Sequence, residues 1–393
     1  MLSPKRPVNC SRVWIPCATH ASPSWTSLSK PADLYIGIMS GTSLDGVDAA
    51  LVDLSQDIPR LVATHYQPYA EPLKEALLAL HHSAHDELHQ SHLIANILAR
   101  EYANATQSLL KKAGVDATQV QAIGCHGQTV RHRPEHGYTI QLNNGALLAE
   151  LCGINVVGDF RSRDIAAGGQ GAPLVPAFHD RVLRHPNIHR VILNIGGIAN
   201  LTDLAPNKTT TGFDSGPGNL LMDAWIAKHQ GKAYDKDGAW AASGKVIPAL
   251  LQRLLDEAFF AAAPPKSTGR DLFNLRWLER QLGGSEAPAD VQATLLALTG
   301  DSIAAAVQSF CVGTKEIYLC GGGAHNAALV RHLQQALPQR RIQKTEELGI
   351  AADWMEAVAF AWLAQQTMQL RPGNLPAVTG AAHPCVLGAI YPA

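Results

Sequence analysis

The sequence predicts an α/β protein made of two similar halves. Two observations carry that prediction. Short apolar runs alternate with longer helical patterns, and a strand, glycine turn and second strand occur twice, at Tyr35–Asp53 and Arg190–Leu204. A third glycine cluster, Gly321–Gly323, separates a strand-like run from a helical one. At 393 residues the chain has room for two domains of roughly 100–200 residues each.

The elements follow in order. Leu34–Met39, Val47–Leu54 and Leu61–Tyr66 read as three strands of a meander. Helical patterns follow at Pro72–His82 and Glu87–Lys112, the second stopped by Gly114. Gln121–Cys125, Tyr138–Leu142 and Ile154–Val157 are strand-like, with an apolar helix at Asn144–Leu151. The second cycle opens with Val191–Ile195, the turn Gly196-Gly197 and the partner strand Ile198–Leu204. Helices are expected at Gly218–Lys228, Val246–Phe260, Val291–Cys311 and Asp353–Gln369, and the strand Glu316–Leu319 runs into the third glycine cluster, with a helix from about Asn326.

Composition excludes several classes. With 32 basic and 33 acidic residues the net charge is -1, which leaves no basic excess for a nucleic-acid footprint. No apolar run approaches the roughly 20 residues of a membrane-spanning helix, so no membrane partner is expected. A hydrophobic content of 46% is too high for whole-chain disorder. The seven cysteines show no C-x-x-C pair, and five of them sit in apolar surroundings, which fits a reducing cytoplasm.

Residues 1–32 differ from the rest. They hold four basic side chains, five prolines, six serines and neither glycine nor an acidic residue; without those four, 28 basic residues face 33 acidic ones. No continuous apolar stretch marks a secretory signal. A disordered tail or an upstream translation start is expected there, and a folded body from Asp33.

The loop Ser40–Asp48 lacks the spacing and the lysine of a P-loop. Ser40, Thr42, Ser43 and the backbone N–H groups can donate, while Asp45 or Asp48 can hold a metal through water. Alone it reads equally as a hairpin turn with serine and aspartate as turn formers. Two such hairpins facing each other would grip a polyphosphate, since glycine turns aim N–H groups at an anion. Gly321-Gly322-Gly323 can admit a nucleoside over bare backbone; a G-x-G-x-x-G match fails because position 326 is Asn.

Other clusters carry two readings each. In Gly212–Asn219, Asp214 or Ser215 is a helix N-cap with Pro217 in the first turn, or Asp214 meets a metal or ribose beside Gly216 and Gly218. Arg161 and Arg163, among Asp159 and Asp164, form a surface ion-pair network or a guanidinium fork for a sugar carboxylate. Asp180 reads, on its own, as a helix-surface residue paired with Arg181 or Arg184. His126-Gly127-Gln128-Thr129 is a polar cluster at a strand end, where α/β sites lie. His81, His82, His85, His89 and His92 lack a carboxylate frame and read as a solvated helix face rather than a metal array.

Together these strings resemble the anhydro-N-acetylmuramic acid kinases. The resemblance rests on Tyr35–Asp48, Cys125–Thr129, Gly158–Arg163, Gly171–Leu174 running to Asp180, Asn194–Gly197, Gly212–Asn219 and Cys320–Asn326, in unbroken order between Asp33 and about Ala364. It implies the actin-like ATPase and sugar kinase fold, two ribonuclease-H-like lobes around a central ATP cleft. The lobes would span 33–187, with the phosphate loop and sugar site, and 188–393, with the second hairpin and nucleoside site, the last helices packing back on the first lobe. ATP and Mg²⁺ are the implied cofactors. Gly41, Thr42, Ser43, Leu44, Asp45, Gly46, Val47 and Asp48 form the implied phosphate loop. Asn194, Gly196, Gly197, Asp214, Gly216, Gly218, Gly321, Gly322 and Gly323 complete the nucleotide site, and Asp45 or Asp214 is the candidate metal residue.

The resemblance further implies ATP-dependent conversion of 1,6-anhydro-N-acetylmuramic acid, with water, to N-acetylmuramic acid 6-phosphate in peptidoglycan recycling. Asp180 is the position matched to the catalytic base, which replaces its surface reading. Water would attack the anomeric carbon while O6 captures the γ-phosphoryl group, so the leaving oxygen needs no acid. Thr129, Arg131, Asp159 and Arg161 are the expected sugar contacts, and the family suggests a homodimer. Two rival readings remain: an ordinary sugar hydroxyl kinase of the same fold, and an ATP-gated binding module without catalysis.

Overall fold

The computed structural model describes residues 32–41, 44–82 and 85–393. The expectation for the N-terminal segment falls outside them apart from Ala32, as do Thr42 and Ser43 of the expected phosphate loop.

Two sheets repeat one strand plan. In the first, β1 (Leu34–Met39), β2 (Gly46–Asp53) and β3 (Arg60–Pro68) form an antiparallel meander, while β4 (Val120–Cys125) joins β1 in parallel. β5 (Gln128–Arg133) and β6 (Tyr138–Leu142) make a separate hairpin, and β7 (Val156–Gly158) continues the first sheet beside β4. In the second sheet β8 (Arg190–Ile195), β9 (Ile198–Leu204) and β10 (Thr211–Pro217) are the meander, β11 (Glu316–Cys320) is the parallel neighbour of β8, and β12 (Arg341–Lys344) follows. A final strand, β13 (Ala389–Tyr391), returns to pair with β7. The orders are β13-β7-β4-β1-β2-β3 and β10-β9-β8-β11-β12. Apart from β13 they are the same ribonuclease-H-like arrangement, so the duplication read from the glycine turns extends to whole sheets.

The central strands are continuous apolar runs because helices cover both faces. On one side of β1, helix Glu87–Ala113 buries Leu98, Tyr102, Ala105 and Leu109, positions that recur every three or four residues. Its end is set by Gly114, whose φ of 65° only glycine adopts without strain. On the other side lies helix Met355–Met368, mostly apolar and buried from Ala357 to Thr367. It approaches so closely that a Cβ on Gly37 would lie 1.7 Å from the Ala357 carbonyl oxygen, and one on Gly124 2.1 Å from that of Phe360.

Several elements differ from expectation. Thr211–Pro217 is an edge strand rather than a loop leading into a helix; its glycines and proline are tolerated because the register slips between Asp214 and Gly216. Asp214 and Ser215 are therefore not helix caps, and the next helix starts at Leu220. The expected helix Val246–Phe260 is broken into Pro248–Leu255 and Ala258–Ala261. β5, β12 and β13 are short or polar and carry little period-2 signal.

Candidate active site

The β1–β2 turn is anchored from beneath. The Ser40 hydroxyl donates to Gln128 Oε1 and lies 2.7 Å from the Tyr69 hydroxyl, while Gln128 Nε2 donates to the Gly41 carbonyl at 3.1 Å. Gln128, fully buried at the start of β5, thus ties the turn to the β5–β6 hairpin. Leu44, with φ of 59°, turns its side chain into the core, and Val47 is fully buried. Gly46 is required by packing, since a Cβ there would sit 2.4 Å from the Gln67 carbonyl oxygen. Of the expected phosphate-loop residues, Leu44, Gly46 and Val47 therefore shape the turn, while Asp45 is exposed and Asp48 half-buried. Burial, with the nearby charges of Asp45, Glu356 and Asp353, pushes the Asp48 carboxyl up to about 7.

The second sheet presents a polar row at the same depth. Asn194 on β8 pairs with Asn200 on β9, Asn200 with Asp214 on β10, and Cys320 on β11 with Asn194. Residues directly opposite point to one face, and Cys320, Asn194 and Asn200 line a central cavity of about 160 Å³. Asp214 Oδ2 accepts from the Ser267 hydroxyl at 3.0 Å and the Thr268 N–H at 2.9 Å. Burial raises the Asp214 carboxyl above the usual range despite those two bonds and the charge of Lys266. Lys266 is itself tethered to the carbonyls of Phe259 and Phe260.

The glycines fall into two groups. A Cβ on Gly218 would lie 2.3 Å from the Gly196 carbonyl oxygen, on Gly323 2.3 Å from Ile195 Cγ2, and on Gly216 2.6 Å from the Phe260 ring. Gly321 combines φ of 77° with a 2.4 Å approach to Asn194 Oδ1. Packing alone demands these four. Gly196, Gly197 and Gly322 meet nothing closer than 3.6 Å and have no positive φ, so the fold itself does not require glycine there. The Gly196 and Gly197 carbonyls accept from the N–H groups of Gly218, Asn219 and Leu220, which seats the turn over the next helix.

Two charged side chains, Arg161 and Glu356, line the cavity. Arg161 donates from Nε (3.1 Å) and Nη2 (2.8 Å) to His126 Nε2, and from Nη1 to the Gly171 carbonyl at 2.7 Å. Burial and the Arg161 charge hold His126 well below its ordinary value, so the imidazole is neutral and accepts. Glu356 lines the cavity from the start of helix Met355–Met368. Its burial raises the carboxyl, and the Arg161 charge opposes that rise. Arg161 is itself pushed down to about 10 by burial.

The remaining expected residues are dispersed. Asp180 Oδ1 accepts from Arg184 Nε at 2.7 Å and from the Thr210 hydroxyl, and Asp180 is not among the cavity-lining residues. That is the helix-surface pairing its sequence context suggested. Thr129 accepts from Gln141 at 3.2 Å, Arg131 donates to Glu87 at 2.5 Å, and Asp159 accepts from the Ser162 hydroxyl at 2.5 Å. Of the four expected sugar contacts only Arg161 lines the cavity. His81, His82, His85, His89 and His92 are exposed, and no group of three or more metal-ligating side chains occurs among the described residues.

Sequence reasoning missed Glu356, His179 and the loop Lys266–Thr268. Glu356 had a legible signal, a lone carboxylate in the apolar run Met355–Leu363. Lys266–Thr268 follows two prolines and offered no periodicity to place it.

A family model described as anhydro-N-acetylmuramic acid kinase matches residues 33–393. The chain belongs to the anhydro-N-acetylmuramic acid kinase family. An anhydro-N-acetylmuramic acid kinase of Nitrosospira multiformis is 59% identical over 364 residues, covering 92% of this chain and 100% of the relative. One from Nitrosomonas europaea is 58% identical over 361 residues, covering 91% and 99%. As a member of this kinase family the chain is an enzyme, an ATP-dependent sugar kinase of the actin-like ATPase and sugar kinase fold. No helix among the described residues is long and apolar enough to cross a membrane.

Proposed function

We propose that the chain converts 1,6-anhydro-N-acetylmuramic acid, ATP and water to N-acetylmuramic acid 6-phosphate and ADP, in the cytoplasm, with lobes 33–187 and 188–393 flanking the cleft. Family membership supports the substrate class. The single observation that carries the reading is the cavity in which Asn194 and Asn200 of the second sheet meet Arg161 and Glu356.

The bonds balance as follows. Water adds to the anomeric carbon and gives up a proton to the base; the bond from that carbon to O6 breaks; O6 takes the γ-phosphoryl group from ATP, whose bond to that group breaks to leave ADP. The base needs a carboxylate oxygen left free for the reacting water. Asp180, the position the family resemblance matches to the base, has only Oδ1 held, by Arg184 and Thr210; Asp214, with only Oδ2 held by Ser267 and Thr268, is the second candidate. Arg161, fixed by His126 and Gly171, suits the sugar's carboxylate.

Gly196, Gly197 and Gly322, glycines that the fold does not need, suit close passage of a phosphate chain. Asp45 and Asp48 would hold Mg²⁺, because Asp48 is a crowded carboxylate that a cation would relieve. Mg²⁺ would supply charge neutralisation on the phosphates.

The test compares Asp214→Asn with Asp180→Asn in water labelled with heavy oxygen. The wild type should place label at the anomeric carbon of the phosphorylated product, and unlabelled product would indicate an ordinary hydroxyl kinase. Asp180→Asn should lower kcat by about a hundredfold or more, with ATP binding retained. Loss confined to Asp214→Asn would move the base to Asp214.

A further inference from the structure

His179 is 2% exposed, on helix Val175–Leu183, and lines the central cavity together with Val175 and Pro176 of the same helix face. Its Nδ1 lies 2.9 Å from the Thr202 hydroxyl. Its other ring nitrogen, Nε2, is buried and has no hydrogen-bond partner. Burial pushes the imidazole down to about 3, so the ring is neutral, with one N–H and one lone pair. Thr202 satisfies one of them. A buried polar atom without a partner is unfavourable, and of the eleven such side-chain atoms among the described residues His179 Nε2 alone belongs to a residue that lines this cavity.

The cavity chemistry says what would meet it. Arg161, Asn194, Asn200 and Glu356 place hydrogen-bonding groups around its wall, and Phe360 adds an apolar face. A few convergent polar groups on an otherwise apolar wall suit a hydroxyl-bearing sugar ring, with Arg161 available to its carboxylate. No lysine lines the cavity.

We propose that His179 is a sugar-binding residue, its Nε2 hydrogen-bonding a polar substituent of the anhydro sugar held in this cavity. The inference rests on the proposed function for the identity of the sugar, and on the orphaned nitrogen for the residue. Two substitutions separate reading from structure. Asparagine places its amide near the Nδ1 position and keeps a partner for Thr202; glutamine reaches the Nε2 position.

Calorimetric titration of the full chain with 1,6-anhydro-N-acetylmuramic acid is the measurement, with ATP titrated in parallel. His179→Asn should weaken sugar binding about tenfold, the worth of one lost neutral hydrogen bond, and leave ATP affinity unchanged. His179→Gln should recover most of the loss. Wild-type-like sugar binding by His179→Asn, or equal weakening in both variants, overturns the inference. If neither variant folds, ¹⁵N-histidine spectra of the wild type decide: the sugar must shift His179 Nε2, and an unmoved resonance overturns the proposal. A wild type that binds no anhydro sugar overturns the function as well, whereas intact wild-type binding with an unaffected His179→Asn overturns this inference alone.

Discussion

Arg161 and His126 are locked together, with two guanidinium nitrogens, Nε and Nη2, converging on the one ring nitrogen Nε2. The pairing carries a guanidinium to the cavity wall while His126 itself packs against Phe360 with the rings tilted by 46°, centroids 4.8 Å apart. Because Arg161 donates, His126 must be neutral, and Glu356 and Asp164 are the carboxyls that answer the Arg161 charge.

Removing Arg161 takes its donors from His126 and the Gly171 carbonyl and the opposing charge from Glu356. Arg161→Ala should cost about 1–3 kcal/mol of stability, the range for leaving buried polar partners unsatisfied. Denaturant unfolding checks this, and adding Glu356→Gln should restore part of the loss. Additive losses in that double-mutant cycle would mean that the two charges are not coupled.

The two groups of glycines predict opposite phenotypes. At Gly37 a methyl group would collide with the backbone of helix Met355–Met368, at 1.7 Å from the Ala357 oxygen. Gly37→Ala should therefore fail to fold or lose several kcal/mol, an overpacking cost of about 1–3 kcal/mol being the ordinary case. At Gly196 the nearest atom is 3.6 Å away, so Gly196→Ala should melt like the wild type. Its ATP affinity should nevertheless fall, because the added methyl occupies the space proposed for phosphate. Thermal melts and ATP titration of the pair measure both effects.

Asp48 makes stability depend on pH in a defined sense. Its carboxyl rises from the ordinary 3.8 to about 7 on folding, so the folded state binds the proton more tightly than the unfolded chain. The contribution is present at low pH and is lost as pH rises through about 7. Asp48→Asn should then be more stable than the wild type at pH about 8, with the gap closing towards about pH 5. Urea unfolding across that range would show it; a gap that widens on acidification would refute the assignment.

Much of the fold was legible because its strands are continuous apolar runs. Leu34–Met39, Tyr138–Leu142 and Ile198–Leu204 have the bounds their residues suggest, and Gly114 ends its helix where expected. Thr211–Pro217 was not legible. A strand carrying two glycines and a proline offers no β propensity, and it holds as an edge only because β9 supplies the ladder. The site was legible as glycine turns but not as individual roles: sequence alone could not separate Gly196, free of steric demand, from Gly218, pressed against the Gly196 carbonyl.

By itself the sequence determined the α/β class, the duplicated strand–turn–strand plan and the family, because these depend on local order and on strings of residues. Only the tertiary structure decided which side chains share a cavity. Arg161, His179, Asn194 and Glu356 are up to 195 positions apart in the chain, yet they line one space where the ends of the two sheets meet helix Met355–Met368. Asp180, which shares a helix with His179, points to Arg184 and Thr210 instead. Adjacent helix positions lie about 100° apart around the axis, so which of the two meets the cavity depends on how that helix packs, a long-range outcome that no local pattern encodes.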